Sequence, residues 1–203
     1  MKVVDAVVIG MGPAGEAVAG NLAEAGLETV GIEAELVGGE CPYWGCIPSK
    51  MMIRAANLLA EARRIPGISG TSDVQPDFAP VAARIRAEAT DDWNDQVAVD
   101  RFVGKGGTFV RGRGKVTGTD TVEANGQQFH ARRAIVIATG THAAIPPIPG
   151  LAGTPFWTNR EAIAATEAPS SLIVVGGGAI GAELAQVFAR FGTAVTIVEG
   201  AAN

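Results

Sequence analysis

Residues 3–9, Val-Val-Asp-Ala-Val-Val-Ile, form a β-branched run of the kind buried on both faces of a parallel sheet. A glycine turn follows, Gly10-Met11-Gly12-Pro13-Ala14-Gly15, after which Ala17, Val18, Leu22 and Ala25 recur at helical spacing. Gly26 stops that helix, and Thr29–Glu33 is a second strand. The succession returns near the other end of the chain. Ile173-Val174-Val175 leads into Gly176-Gly177-Gly178-Ala179-Ile180-Gly181, Phe188 and Phe191 carry the apolar face of a helix, and Val195–Val198 form the strand after it. Gly10, Gly12, Gly15, Gly26 and Glu33 map onto Gly176, Gly178, Gly181, Gly192 and Glu199 at one constant offset of 166 positions.

Between the copies, Met51–Ile65 predicts a helix, with Ile53, Leu58, Leu59 and Ala62 inward and Arg54, Glu61, Arg63 and Arg64 outward. Residues 66–80 are a loop rich in Gly, Ser, Thr, Asp and Pro. A second helix is expected from Phe78 to about Arg101, with Trp93 as a packing residue. Thr108–Val116, Thr121–Ala124 and Gln128–Arg132 predict a short antiparallel meander, punctuated by Gly118 and Asn125-Gly126. Ala134–Ala138 is a further buried strand, and the proline-rich segment 145–150 reads as a linker.

Composition narrows the class. Hydrophobic residues make up 47% of the 203 and charged residues 18%, enough to bury a core. A net charge of -5 and a pI near 5.1 give no reason to expect nucleic acid or an anionic membrane as partner. No apolar run approaches the roughly 18 residues of a membrane-spanning helix. The N-terminus reads as a first strand rather than a signal peptide. Two cysteines without a secretion signal fit a reducing compartment, so the expected localisation is cytoplasmic.

Each glycine pattern is G-x-G-x-x-G between a strand and a helix, with an acid 18 residues after the third glycine. The glycines let the backbone approach a pyrophosphate at the helix N-terminus, and the acid can accept from a ribose hydroxyl. Two such fingerprints in one chain predict two adenine dinucleotides.

Cys41 and Cys46 are the only cysteines, in Gly38-Gly39-Glu40-Cys41-Pro42-Tyr43-Trp44-Gly45-Cys46-Ile47-Pro48-Ser49-Lys50. On a regular helix, positions five apart lie ~7.5 Å apart along the axis, whereas a disulfide wants Cα atoms at ~5.5 Å. Pairing therefore requires a distorted first turn. Pro42, Gly45 and Pro48 favour one, and Pro48 lacks the N–H that a helix would donate to the Trp44 carbonyl. A helix start, with Lys50 nearby, also favours a thiolate. The pair reads as redox-active, with inert thiols or an inert disulfide as the alternative. A disulfide closing so small a loop gains little stability. A metal site is not expected, because His130 and His142 are the remaining candidates and neither has ligand spacing.

Two fingerprints around Gly-Gly-x-Cys-x4-Cys-Ile-Pro-Ser-Lys resemble the class I pyridine nucleotide–disulfide oxidoreductases, among them dihydrolipoamide dehydrogenase, glutathione reductase and mercuric reductase. The resemblance implies an α/β chain. Residues 1–150 would be a Rossmann-like FAD-binding domain with a β-meander insertion, and residues 151–203 the first βαβ of a second, NAD(P)-binding Rossmann-like domain. It implies that Gly10, Gly12, Pro13, Ala14, Gly15, Glu33, Gly39, Lys50, Gly114, Thr139 and Gly140 serve FAD. Gly176, Gly178, Ile180, Gly181 and Glu199 would serve NAD. Cys46 would be the thiol against the flavin and Cys41 the interchange thiol that meets the substrate, the two forming a disulfide when oxidised. Lys50, paired with Glu183, would sit by the flavin.

The implied activity is dihydrolipoamide dehydrogenase-like, passing electrons between NAD(H), FAD and the Cys41–Cys46 disulfide. A small-molecule or protein-bound disulfide or dithiol would be its partner, and the full-length parent would be a homodimer. Reduction of another acceptor, a quinone or mercuric ion, is the alternative, as is a non-catalytic dinucleotide-binding fragment. The chain departs from the family pattern at Glu40 and at the aromatics Tyr43 and Trp44 between the cysteines. It also ends at Asn203, where family members continue into the rest of the NAD(P) domain, a second FAD-contacting segment and a dimerisation domain. The expectation is an incomplete, inactive piece whose residues 172–203 form a lone strand–helix–strand with no sheet of its own.

Overall fold

The computed structural model describes residues 1–200. In chain order its elements are β1 (Lys2–Ile9), α1 (Pro13–Glu24), β2 (Thr29–Glu33), α2 (Glu40–Tyr43), α3 (Cys46–Ala62), α4 (Ala79–Arg84) and α5 (Gln96–Gly104). Then come β3 (Thr108–Arg111), β4 (Lys115–Val116), β5 (Thr121–Ala124), β6 (Gln127–Ile137), α6 (Asn159–Ala164), β7 (Ser171–Val175), α7 (Ala179–Arg190) and β8 (Ala194–Val198). They form two compact units. One joins Met1–Tyr43 with Thr90–His142; the other joins Trp44–Ala89 with the chain from Ala143 on. The boundary expected at 150/151 lies inside the second unit, because α3 and α4 share a core with α6 and α7.

The first unit is a six-stranded sheet in the order β3-β2-β1-β6-β5-β4. β1 pairs in parallel with β2 and β6, and Val4, Val7, Val8, Val30 and Ile32 are buried at its centre. Two expectations are corrected here. Thr108–Arg111 belongs to no meander; it lies parallel to β2, from Val30↔Thr108 to Glu33↔Arg111. An unpaired edge beside so buried a strand would leave its backbone groups unsatisfied, and β3 supplies the partner. The segments Gln128–Arg132 and Ala134–Ala138, expected as separate strands, are one strand, β6. It is antiparallel to β5 near its start and parallel to β1 along its length. The register shift that this requires falls between Val4 and Ala6, at Asp5. The Asp5 carboxylate accepts from the Glu28 N–H (3.0 Å) and the Arg133 guanidinium (3.1 Å), which hold its carboxyl below the usual carboxylate range, the Glu28 bond foremost.

The helix expected over residues 78–101 is also broken. α4 runs into a π-helical turn at Ile85–Ala89, and Asp91, Asp92 and Trp93 then take φ of 48°, 53° and 57°. Three left-handed residues cannot continue a right-handed helix, so α5 starts afresh. The first helix of the chain ends as its glycine predicts. Gly26 has φ 81°, its N–H meets the Ala23 carbonyl, and the Leu27 N–H meets that of Leu22.

The second unit packs α3, α4, α6 and α7 around Met52, Ala56, Phe78, Ile85, Ile163, Leu184, Val187 and Phe188. Phe78 stacks on Phe188 (centroids 5.4 Å apart) and meets Phe191 edge-on (5.1 Å). Residues 171–198 do carry a sheet, contrary to expectation: β7 and β8 pair in parallel over five positions. The apolar face of α7 finds its cover on the preceding helices. Ile173, Val175, Ile197 and Val198 on the two strands stay exposed.

Candidate functional site

In the first unit the loop from β1 to α1 is shaped by what its glycines permit. Gly10 has φ 91°, and a Cβ there would lie 2.3 Å from the Ala138 carbonyl oxygen and 3.0 Å from the Thr139 Cα. A Cβ on Gly15 would fall 1.8 Å from the Gly10 carbonyl oxygen. These two glycines are there for close packing. Gly12 differs: its φ and ψ of -68° and -174° suit any residue, and the nearest atom to a Cβ would be the Gly39 Cα at 3.9 Å. The room above Gly12 is open, and α1 has no side-chain cap at its N-terminus. Its first N–H groups, Ala14 and Gly15 among them, are thus available to an anion, with Pro13 at the first position costing no donor.

Glu33, at the end of β2, accepts from the Met11 N–H (2.7 Å) and the Glu35 N–H (2.7 Å). Each oxygen keeps a further lone pair for a ribose hydroxyl. Gly39 (φ 64°) brings the next loop against Gly12, and the Gly38 N–H donates to the Met11 carbonyl (2.7 Å). Gly114 packs on the ends of β1 and β2, where a Cβ would meet Ile9 Cγ2 at 2.9 Å. Gly140, with φ 63°, stands in open space past the end of β6. Cys41 is the second residue of α2 and is half-buried.

Asp95 and Arg111 carry no motif, and only the fold reveals their part. Asp95 is buried; its carboxylate accepts from the Val37 N–H (2.7 Å) and from Arg111, which also donates to the Glu35 carbonyl. Between them they fix the loop that carries Gly38 and Gly39. After the left-handed break at residues 91–93, α5 starts at Gln96 with Asp95 at its N-cap position. Burial, with Asp95 and Glu16 nearby, pushes the Tyr43 phenol up from its ordinary pKa.

The second unit repeats the dinucleotide geometry. Gly176 has φ 103°, a Cβ on Gly181 would lie 2.4 Å from the Gly176 carbonyl oxygen, and α7 has no side-chain cap. Glu199 accepts from the Gly177 N–H (2.7 Å), the counterpart of the Glu33–Met11 bond at the same offset. Nothing lies within 4 Å of a Cβ on Gly178. Ile180, in the first turn of α7, is exposed. Both copies therefore fit a dinucleotide: an open, uncapped helix start beside a carboxylate that already holds the glycine turn.

Cys46 is the exposed first residue of α3, after Gly45, and the Ser49 N–H makes the first helical bond, to the Gly45 carbonyl (2.9 Å). One turn on, Lys50 Nζ reaches both oxygens of Glu183 on α7, at 3.0 and 2.8 Å. No disulfide joins Cys41 to Cys46 in the structure. The described residues hold no cluster of three or more His, Cys, Asp or Glu that could bind a metal.

Two glycine-rich strand–turn–helix units and a pair of cysteines lie on one α/β chain. A family model described as pyridine nucleotide-disulphide oxidoreductase matches residues 4–203, and the chain belongs to that family, whose members are enzymes that use FAD and NAD(P)H. Among its relatives, the mercuric reductase of Acidithiobacillus ferrooxidans is 34% identical over 94% of this chain and 36% of its own length. The dihydrolipoyl dehydrogenase of Acholeplasma laidlawii is 32% identical over 98% of this chain and 60% of its own. A solved copper(II) complex of the HOCl-induced flavoprotein disulfide reductase RclA from Escherichia coli superposes with a TM-score of 0.82 at 28% identity, covering 98% of this chain and 43% of that one. The chain thus spans between about a third and three-fifths of the curated relatives it matches.

Proposed function

We propose that this chain passes two electrons between NAD(H), FAD and the Cys41–Cys46 pair, and through that pair to a disulfide substrate. The exposed thiol of Cys46 at the uncapped start of α3, one turn before the Lys50–Glu183 pair, is the observation that carries the reading. Bound FAD supplies the two-electron relay between nicotinamide and thiol. Gly10–Gly15 and Glu33 bind its pyrophosphate and ribose, with Gly39, Gly114, Thr139 and Gly140 closing the cradle. Gly176–Gly181 and Glu199 do the same for NAD. Lys50, oriented by Glu183, would supply the positive charge that favours a reduced flavin. The Cys41–Cys46 disulfide would take the two electrons and a proton, its S–S bond opening to a Cys46 thiolate and a Cys41 thiol; Cys41, as thiolate, would then attack the substrate disulfide, and Cys46 would displace the second substrate thiol as the Cys41–Cys46 bond re-forms. The full-length protein works as a cytoplasmic homodimer.

A second reading, reduction of mercuric ion by the same pair, is favoured by the mercuric reductases among the relatives. Both readings need the sulfur roles to differ. Reduction of the FAD-loaded protein should give a long-wavelength thiolate-to-flavin absorption. Cys46→Ser should abolish it and Cys41→Ser should keep it. Identical behaviour of the two variants would overturn the assignment. Turnover with dihydrolipoamide, glutathione disulfide or mercuric ion then separates the acceptors.

A further inference from the structure

The segment 35–39, between β2 and α2 of the first unit, is turn and bend without helix or strand of its own, yet it stands at a junction. On one side it meets the start of α1. A Cβ on Gly39 would lie 2.8 Å from the Gly12 Cα and 3.4 Å from the Pro13 Cδ, and the Gly38 N–H donates to the Met11 carbonyl at 2.7 Å. On the other side α2 closes on it. Gly38 has φ 106°, and a Cβ there would lie 3.0 Å from the Pro42 Cγ and 3.2 Å from the Tyr43 Cε2. The two glycines thus touch both the dinucleotide turn and the short helix that carries Cys41.

What holds this segment comes from far along the chain. One oxygen of Asp95 accepts from the Val37 N–H at 2.7 Å and also from Arg111, which donates in addition to the Glu35 carbonyl. Both supports are anchored in turn. Asp95 stands at the N-cap of α5, whose Ala98, Val99 and Phe102 share a core with Val8, Met11 and Val37. Arg111 ends β3, paired with Glu33 of β2, and its guanidinium lies 4.8 Å from the centroid of the Phe109 ring. We propose that Asp95 and Arg111 are positioning residues for the FAD cradle and for Cys41 at once: by clamping the segment 35–39 they keep Gly39 beside Gly12 and α2 on Gly38. The proposal rests on the reading of the first glycine turn as the FAD site and of Cys41 as an exchanging thiol.

The test titrates the 203-residue chain with FAD by flavin fluorescence. In a Cys46→Ser background it also times the alkylation of Cys41 by iodoacetamide, with melting temperature followed in parallel. Asp95→Asn keeps an oxygen for Val37 but loses the charge that Arg111 meets, and Arg111→Met loses both of its bonds. Each should weaken FAD binding about tenfold, as for a freed segment that holds its place a tenth of the time. Each should also speed the alkylation of half-buried Cys41. Arg111→Lys keeps the charge without the forked reach and should recover part of both effects. The double variant should be no worse than the weaker single, because the two side chains form one clamp. Variants that bind FAD and alkylate like the wild type, whether or not they melt earlier, would overturn the proposal, as would an effect on FAD alone or on Cys41 alone; each leaves the redox reading intact. A wild-type chain that takes up no FAD would overturn both.

Discussion

The glycines of the first turn make opposite predictions although they are two residues apart. Gly10→Ala puts a side chain at φ 91°, for which the left-handed penalty is about 1–2 kcal/mol. It also drives a Cβ to 2.3 Å from the Ala138 carbonyl, a backbone atom that cannot rotate away, and such overpacking costs about 1–3 kcal/mol. The sum, about 2–5 kcal/mol, corresponds to roughly 4–20 °C of melting temperature for a chain of this size. Gly12→Ala has ordinary backbone angles and no atom nearer than 3.9 Å. The lower entropy of its unfolded chain contributes about 0.4–1 kcal/mol, offset by a similar loss because alanine is a poorer N-cap than glycine. Its melting temperature should stay within a few degrees of wild type. FAD is where it should fail, since the methyl group takes the room for the pyrophosphate. Thermal melts of the apo chain and flavin fluorescence titrations check both halves. Wild-type melting of Gly10→Ala would refute the packing argument. Wild-type FAD affinity of Gly12→Ala would refute the cradle. Gly176→Ala provides an internal comparison: nothing lies within 4 Å of its Cβ, so only the left-handed penalty of about 1–2 kcal/mol applies.

Lys50→Met should change stability by under about 1 kcal/mol, because the Lys50–Glu183 pair is 62% and 45% exposed, yet it should slow electron transfer to the cysteines in stopped-flow traces; unaltered traces would remove Lys50 from the site. Glu199, which would repel a 2′-phosphate, predicts higher kcat/KM with NADH than NADPH for the full-length enzyme, and equal values would contradict that role. The Thr158 hydroxyl, and after it the Thr158 N–H, hold the Glu161 carboxyl below the usual carboxylate range. A depressed folded pKa means that the bond's stability is complete above about pH 4.3, the unfolded value, and is lost as pH falls through the lower folded value. The stability gap between wild type and Glu161→Gln should therefore narrow between pH 7 and pH 3 in thermal melts; a constant gap would show that the carboxylate does not contribute.

Local chemistry was enough for the two strand–turn–helix units and their boundaries. Glycines that must take positive φ or admit a close backbone, β-branched runs, and an acid at the strand end each act over a few residues, so their spacing is legible one-dimensionally. The repeat at offset 166 even extends to the Glu33–Met11 and Glu199–Gly177 bonds. The break before Cys46 was legible too, since Pro48 alone denies Trp44 a helical partner. What satisfies that carbonyl was not: Asn159 is 115 residues distant, and nothing near it in the chain marks it. The same holds for Asp95 and Arg111, whose grip on the loop at Val37 and Glu35 follows a left-handed break inside an apparently helical stretch. Strand partners were likewise a tertiary decision. A short β-branched segment such as Thr108–Arg111 fits a parallel or an antiparallel neighbour equally well, and the open edge of buried β2 chose for it. So too for α7, whose apolar face requires cover but does not name it. Packing against α3 and α4, rather than the order of the chain, placed those helices in one core.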